Sequence, residues 1–310
     1  MKGIQFTARG VTQIIDEPQP TCGEQEVLLK TLHSGLSNGT ERSFLTGGPY
    51  GGQKWPSRIG YLNVSEVVAA GCGISDYVPG DVVYTGTFPG HVAWHTARET
   101  DLIVKVPAGL DPRAATMLGL AGVSYFNAAR VGIGEQDVVL VTGAGGIGLM
   151  AVQAARLMGA RVTLVSRTEH RRRRGLDMGA HSTFDIEQAA EALRESGPYT
   201  VLLECAGVPL DPLMEPKKAL LERFARAALV AGRSRVEYNF LWASMLRVSF
   251  HQSTHFDAPT LERVTALAAS GQLALAALID EVLPIDSAVE IYDRLRDDPM
   301  SVGGTVFDWY

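Results

Sequence analysis

Short apolar runs separated by glycine and proline clusters dominate the first third of the chain. Examples are Glu26–Lys30, Ser65–Ala69 and Asp81–Tyr84, each rich in valine or leucine. Runs of this kind, bounded by turn residues, are typical of β-strands. Met1–Phe6 fits the same pattern, with no apolar signal segment ahead of it. Residues 1–118 are therefore predicted to form a β-rich domain.

The pattern changes after this domain. Helix formers fill 112–131, and strand-like and helix-like segments then alternate. Strands are predicted at 138–142, 161–166 and 200–205, and helices at 146–159, 169–178 and about 216–230. Such alternation predicts a doubly wound parallel sheet, so the fold class is α/β, with a second domain over 119–252.

The tail, residues 253–310, carries four further predicted elements. They are a helix at 259–270, a strand at 279–284, a helix at 286–297 and a last strand at 304–308. Because the parallel sheet already looks complete, we expect the last strand to return to the first domain.

A glycine-rich turn follows the first strand of the predicted parallel sheet. Gly143, Gly145, Gly146 and Gly148, with Ile147 between the last two, lie between the strand and a helix-forming segment. Strand, glycine turn and helix form the context of a dinucleotide-binding fingerprint. Glycines permit the tight turn and the close approach of a pyrophosphate, and the helix N-terminus favours anions. The alternative is a glycine-rich turn in another α/β sheet.

The residues after the second strand bear on the choice of cofactor. An NAD site usually places Asp or Glu about 20 residues beyond the fingerprint. Here Ser166 and Arg167 occupy that place, and Arg171–Arg174 follow. Guanidinium and hydroxyl donors match a 2′-phosphate, so we predict NADP(H), with Ser166, Arg167 and Arg171 as contacts. The alternative for the arginine run is a solvated helix face.

Composition narrows the class of protein. The 310 residues suffice for two domains, and 46% hydrophobic with 20% charged residues is ordinary for a soluble enzyme. The net charge of −6 argues against a nucleic-acid partner, and no apolar run is long enough to span a membrane. Three scattered cysteines suggest a reducing cytoplasm. We expect a small-molecule substrate and a homodimer.

The whole chain resembles the medium-chain dehydrogenase/reductase superfamily. The segments that carry the resemblance are Val78–Val83, Leu102–Pro107, Leu120–Tyr125, Gly143–Gly148 and Gly175–Ala180. The resemblance implies a GroES-like catalytic domain, a Rossmann domain, and a substrate bound in the cleft between them beside the nicotinamide.

Zinc ligands are where the chain departs from many members of this superfamily. Where those members carry a Cys-His pair, a Gly-His-Glu turn and a further Cys, this chain has Ser37–Asn38, Gly60–Leu62 and Leu120. Hydroxyl and apolar side chains are poor Zn²⁺ ligands, and the four-cysteine structural loop is missing. His91 and His95 lie in a strand or loop without a nearby cysteine. We therefore predict no metal.

Part of the chain is similar to the bacteriochlorophyllide dehydrogenase group. That group has approximately Ser-Gly-x-Ser-x-Gly-Thr-Glu, here Ser34–Glu41, and a tyrosine at Gly60-Tyr61. Leu62 replaces the acid that this group carries, so the pigment substrate is not carried over.

Without zinc, hydrogen-bond donors must stabilise the charge that hydride transfer builds on a substrate oxygen. Tyr61, Asn38 and Thr40 are the candidate catalytic residues, with Ser37 as a helper. The alternatives are packing for Tyr61 and turn formation for Asn38 and Thr40. Glu41 and Arg42 either orient the loop, touch substrate or form a surface pair. The loop 46–52 is either a substrate lid or a plain connection.

Together these features predict a zinc-independent, NADP(H)-dependent oxidoreductase that reduces an activated C=C (enone or quinone) or a C=O. One alternative is a secondary-alcohol dehydrogenase of a biosynthetic pathway. Another is a non-catalytic dinucleotide-binding protein, which would retain the same fingerprint. An assembly or regulatory subunit would need an extended basic or apolar surface that the sequence does not indicate.

Overall fold

The computed structural model describes residues 1–49, 51–185, 189–253 and 255–310. Over these residues the chain divides into two compact units. The first comprises Met1–Gly119 and Asp257–Tyr310, and the second comprises Leu120–Phe256. Which unit carries substrate and which carries cofactor stays a prediction.

The elements of the described residues follow one another along the chain. The strands are β1 (Lys2–Ala8), β2 (Val11–Asp16), β3 (Val27–Gly35), β4 (Asn63–Ala70), β5 (Val82–Thr85), β6 (Trp94–Ala97), β7 (Ile103–Lys105), β8 (Val138–Thr142), β9 (Arg161–Val165), β10 (Ser182–Phe184), β11 (Tyr199–Glu204), β12 (Leu221–Leu229), β13 (Ser249–Gln252), β14 (Glu281–Pro284) and β15 (Thr305–Asp308). The helices are α1 (Asn38–Thr46), α2 (Pro112–Ala115), α3 (Leu118–Arg130), α4 (Gly146–Leu157), α5 (Glu169–Asp177), α6 (Ala190–Glu195), α7 (Asp211–Met214), α8 (Phe240–Leu246), α9 (Ala258–Ala269) and α10 (Ala288–Asp297).

The second unit is built around a parallel sheet in the order β10–β9–β8–β11–β12–β13. All five neighbouring pairs within the described residues are parallel. The chain moves outward from β8 to β10, then returns to β11 beside β8 and moves outward the other way. In sheets of this order, ligands bind outside the carboxyl ends of the two strands where the direction reverses. The sheet confirms the predicted α/β class.

One predicted helix is wrong. The segment at about 216–230 forms the strand β12 between β11 and β13, although its alanines, leucines and charged residues favour helix. Ala225, Ala227 and Ala228 are fully buried, as in a strand covered on both faces. The segment lacks the strict alternation of apolar and polar residues that distinguishes strand from helix, and the two flanking strands decide its conformation.

The helix predicted over 112–131 is interrupted. Asp111 caps the first piece, α2, by accepting a hydrogen bond from the Arg113 amide, and Pro112 fits its first position. The Thr116 hydroxyl donates to the Arg113 carbonyl at 2.6 Å just after α2, and α3 begins at Leu118.

The first unit closes its main sheet with the tail of the chain. The strand order is β14–β15–β3–β4–β5–β7, with β6 also paired to β3. β15 lies antiparallel to β3, with Val306 opposite Gly35, so the last strand joins the first unit as predicted. Helix α10 packs its Tyr292 edge-on against Phe6, with ring centroids 5.1 Å apart. Within the described residues, no helix is long and apolar enough to cross a membrane.

A polar histidine lies in the interior of the first unit. His95 on β6 is 5% exposed, and its ring nitrogens lie 3.5 Å from Thr31 Oγ1 and 3.3 Å from Thr85 Oγ1. Burial lowers the pKa of His95 to about 4, because the imidazolium loses its hydration and has only hydroxyl partners.

The lowered pKa of buried His95 predicts that acid destabilises the folded protein. Between pH 6.5 and 4 the unfolded chain protonates His95 and the folded chain does not, so the free energy of unfolding falls as pH falls. His95→Gln should remove the share of this pH dependence that comes from His95, a loss of unfolding free energy of about 3 kcal/mol at pH 4. Urea unfolding at several pH values measures the difference from wild type. Exposed His170→Gln is the control, and an unchanged pH slope in His95→Gln would contradict the prediction.

Candidate functional site

The turn between β8 and α4 requires glycine at several positions. Gly143 has φ of +84°, and a Cβ there would lie 2.8 Å from that of Ala206. A Cβ on Gly148 would overlap the carbonyl oxygen of Gly143, and one on Gly146 would lie 2.7 Å from the Leu120 side chain. These glycines therefore hold the turn tightly against its own unit.

Gly145 has a different environment. It precedes α4 in an extended conformation without a side-chain cap, and a Cβ there would meet nothing within 4 Å. Ile147, half-buried in the first turn, accepts a hydrogen bond from Ser124 through its carbonyl at 2.8 Å. The twelve-residue helix α4 thus begins with amide groups that no side chain caps, beside open space. Such a helix start suits a phosphate group.

A fully buried carboxylate organises the neighbouring strand ends. Glu204, the last residue of β11, accepts through Oε1 from three successive backbone amides: Ala206 at 2.9 Å, Gly207 at 2.6 Å and Val208 at 3.1 Å. The same oxygen accepts from the hydroxyl of Thr142, the last residue of β8, at 3.1 Å. One side chain therefore joins β8 to the loop after β11.

The other oxygen of Glu204 is paired with Arg233, which follows β12. Burial lowers the pKa of the Arg233 guanidinium. The backbone carbonyl of Glu204 also accepts from the amides of Val230 and Ala231. Glu204 was not predicted from the sequence; its signal is a single acid that ends the apolar run of β11.

The end of β9 carries the predicted 2′-phosphate contacts. Ser166 is half-buried and its hydroxyl has no partner in the described part of the chain, and the Arg167 side chain is exposed and likewise unpaired there. Arg171 is half-buried and already has an interaction partner in the protein. The neighbouring Arg172 reaches back to this turn and donates to the Ser166 carbonyl, a contact not predicted from the sequence.

In the first unit, Tyr61 and Ser37 form one hydrogen-bonded pair. The Tyr61 hydroxyl and Ser37 Oγ are 2.9 Å apart, and both residues are buried. The backbone carbonyl of Tyr61 accepts from the fully buried Tyr84 hydroxyl at 3.0 Å. The Tyr61 ring packs against exposed Phe88 at a centroid distance of 5.3 Å.

The two other candidate catalytic residues lie at the start of α1. The Asn38 amide donates to the carbonyls of Val302 at 2.9 Å and Gly303 at 3.0 Å, so it ties α1 to the tail. The Thr40 hydroxyl is half-buried and makes no hydrogen bond within the described residues.

Glu41 is fully buried, so the alternative of a surface pair with Arg42 is wrong. Its carboxylate accepts from the Ser37 amide at 2.8 Å and lies 3.1 Å from His91 Nε2. The Tyr292 hydroxyl also donates to it. Burial and this carboxylate raise the pKa of Tyr292 well above its usual value. Glu41 therefore orients the loop that carries Ser37, the first of the roles foreseen for it.

The side chains at the superfamily's zinc positions do not fit that metal. Ser37 and Tyr61 offer hydroxyls bonded to each other, whereas Zn²⁺ binds thiolate, imidazole or carboxylate. The nearby Glu41 and His91 are fully buried and bonded to each other. In the described ranges, no group of three or more His, Cys, Asp or Glu residues could hold a metal ion.

The segment after α1 is a tight connection where the structure describes it. Gly47 ends α1 with φ of +70°, and the Gly48 amide donates to the Ser43 carbonyl at 2.8 Å. The Gly51 amide donates to Ser43 Oγ at 2.7 Å. Tyr50 lies outside the described residues, and a lid role for this loop stays a prediction.

Comparison with known proteins places the chain among dehydrogenases and reductases. Residues 146–282 match the family described as "Zinc-binding dehydrogenase". The chain is 26% identical to 2-desacetyl-2-hydroxyethyl bacteriochlorophyllide A dehydrogenase of Cereibacter sphaeroides, over 95% of this chain and 92% of that protein. It is 28% identical to quinone oxidoreductase of Sus scrofa, over 76% of this chain and 74% of that protein. A Sinorhizobium meliloti dehydrogenase solved with NADP bound is similar in fold, with a TM-score of 0.85, 20% identity and 99% coverage of both chains.

The open space at Gly145 allows binding and folding to be tested separately. Gly145→Ala should change the free energy of unfolding by less than about 0.5 kcal/mol, because the added methyl meets no protein atom. It should weaken dinucleotide binding at least roughly tenfold, since the methyl would fill the approach to the helix start. Tryptophan fluorescence titration measures binding. Gly134→Ala, also in open space but away from the turn, is the control. Unchanged affinity in Gly145→Ala would contradict this assignment.

Proposed function

We propose that this chain, a member of the medium-chain dehydrogenase/reductase superfamily of oxidoreductases, is zinc-independent and NADP(H)-dependent and reduces an activated C=C or a C=O of a small organic molecule. The observation that carries the proposal is the glycine turn at the point where the strand order of the parallel sheet reverses. A pyrophosphate would be held by the amides that start α4, beside Gly145.

The cofactor preference rests on the end of β9. Ser166 and Arg167 stand where an NAD site usually has a carboxylate, and their side chains are unpaired within the described residues. An exposed guanidinium and a hydroxyl donor suit a 2′-phosphate. Arg171 at the first turn of α5 is a further candidate contact. When bound, the nicotinamide supplies or accepts a hydride.

The chain's own contribution to the chemistry is proton supply and charge stabilisation. The phenol of Tyr61 can donate a proton to a substrate oxygen on which negative charge develops. The Ser37 hydroxyl, 2.9 Å away, can donate a hydrogen bond to the resulting phenolate until a water molecule reprotonates it. The Glu41 carboxylate holds Ser37 in place by accepting a hydrogen bond from the Ser37 backbone amide. Thr40, whose hydroxyl has no hydrogen bond in the described part, is a further donor, whereas Asn38 has both amide hydrogens engaged.

The same residues support zinc independence. Hydroxyls of Ser37 and Tyr61 stand where zinc-binding members carry thiolate and imidazole, and hydroxyls are poor Zn²⁺ ligands. Activated alkenes and quinones require only polarisation of an oxygen, which hydrogen-bond donors can provide. The similarity to a quinone oxidoreductase favours this class.

One alternative has specific support. The similarity to a bacteriochlorophyllide dehydrogenase, which extends over 95% of the chain, favours a secondary-alcohol dehydrogenase. A non-catalytic dinucleotide-binding protein would use the same glycine turn. A homodimer and a cytoplasmic location stay predictions from the sequence.

A substrate panel tests the proposal. Enones, quinones, ketones and secondary alcohols are offered with NADPH or NADP⁺, and zinc content is measured by plasma emission. We expect turnover of an enone or quinone with well below one zinc per chain. Turnover of alcohols alone would favour the secondary-alcohol dehydrogenase, and no turnover of any compound would favour the non-catalytic binding protein. Stoichiometric zinc that is lost together with activity would overturn zinc independence.

Cofactor preference can be tested at two adjacent residues. Arg167→Ala should raise the dissociation constant of NADPH by about ten- to a hundredfold, since a charge-assisted hydrogen bond contributes roughly 1.5–3 kcal/mol. NADH binding should hardly change, because NADH has no phosphate there. Ser166→Asp should shift preference toward NADH by accepting from the ribose and repelling the phosphate. Tighter binding of NADH than NADPH by wild type, or equal weakening of both in Arg167→Ala, would sink the assignment.

Tyr61→Phe tests the proton donor. Loss of the phenol should lower kcat by roughly a hundredfold or more and leave NADPH affinity unchanged, because general acid catalysis acts in the transition state. Ser37→Ala should lower kcat less. Tyr238→Phe, at a partly exposed tyrosine of the other unit, serves as control. Wild-type kcat in Tyr61→Phe would assign the phenol to packing.

A further inference from the structure

Arg172 uses its guanidinium on the protein's own backbone. From the first turns of α5 it reaches back to the turn after β9, where Nη1 donates to the Ser166 carbonyl at 2.9 Å and the Arg167 carbonyl at 3.0 Å. The side chain is only 21% exposed. It therefore differs from Arg173, which forms a surface pair with Glu169.

Asp185, the residue after β10, fixes this guanidinium. Its Oδ2 lies 3.2 Å from the same Nη1, and its side chain is 11% exposed. The Ser166 amide donates to the Phe184 carbonyl at 3.1 Å, so the turn is also held directly by the end of β10. The conformation of the turn is thus determined by two elements that flank it.

The two carbonyl contacts orient what the turn presents on its other side. In a trans peptide the C=O and the following N–H point in opposite directions. Carbonyls of Ser166 and Arg167 that face Arg172 therefore direct the amides of Arg167 and Thr168 away from it. Neither amide has a hydrogen-bond acceptor within the described residues. The turn presents these donors together with the exposed Arg167 side chain.

We propose that Arg172 and Asp185 form a positioning pair that sets the preference for a 2′-phosphorylated dinucleotide by holding the β9–α5 turn in its anion-binding conformation. The pair acts through the backbone and does not touch the phosphate. This inference rests on the NADP(H) preference proposed above and adds to it a residue pair whose loss relaxes that preference.

Two small probes isolate the 2′-phosphate. 2′,5′-ADP and 5′-AMP differ only in that group, and calorimetric titration of the purified chain gives a dissociation constant for each. Arg172→Gln and Asp185→Asn should each lower the 2′,5′-ADP preference by roughly tenfold, with 5′-AMP affinity unchanged within about twofold. Arg172→Lys, which retains a cation that can reach the carbonyls, should recover part of the preference. The double variant should be no worse than Arg172→Gln, because both residues act in one contact.

Matched outcomes separate this inference from the proposal it rests on. Arg173→Gln, which removes the neighbouring surface pair, should behave as wild type. If wild type and Arg167→Ala prefer 2′,5′-ADP equally, or wild type has no preference, the cofactor assignment fails and the positioning pair with it. If Arg167→Ala loses the preference while Arg172→Gln and Asp185→Asn keep it, only the positioning pair is overturned. Equal weakening of both probes with a lower melting temperature would assign the pair to stability alone.

Discussion

The contacts of the Glu204 carboxylate are the interaction on which the carboxyl-end edge of the parallel sheet depends. An isolated charge costs several kcal/mol to bury, so it must be compensated fully where it lies. Three backbone amides, the Thr142 hydroxyl and Arg233 provide that compensation, and they come from the ends of β8, β11 and β12. Three strand ends are thus held in one arrangement by a single side chain. The glycine turn after β8 is placed against this fixed edge, where a Cβ on Gly143 would touch Ala206.

The first unit uses the same device. Glu41 is the other fully buried carboxylate in the described residues, and its partners come from the α1 loop, His91 and Tyr292 of α10. Each unit therefore orders a proposed functional loop around a buried acid. A carboxylate with several acceptor sites can serve amides, a hydroxyl and a cation together, whereas a neutral side chain of similar size cannot.

Local features of this fold could be predicted from the sequence, and long-range partners could not. The glycine turn, β8, β9 and the final strand each leave a signal within a few neighbouring residues. Glu41 resembled a surface residue because its partner Tyr292 is distant in the chain. Arg172 was one of four identical neighbours in sequence, and its contacts with Asp185 and with the Ser166 and Arg167 carbonyls exist only in the folded chain. The helix predicted at β12 was wrong for another reason. The alanines of this segment favour helix locally, and pairing with β11 and β13 overrides that preference.

The return of the tail to the first unit has a consequence for biosynthesis. The core of the first unit combines Ile4, Phe6 and Leu45 from the start of the chain with Tyr292, Leu295 and Phe307 from its tail. A ribosome delivers the two groups separately, with the entire second unit synthesised in between. Until β15 emerges, the end of β3 that it covers is an unpaired edge above an incomplete core, and such edges recruit strands from other chains. The second unit, continuous in sequence, can fold as it leaves the ribosome. The nascent first unit is thus the stage at which chaperones and strand-mediated aggregation compete.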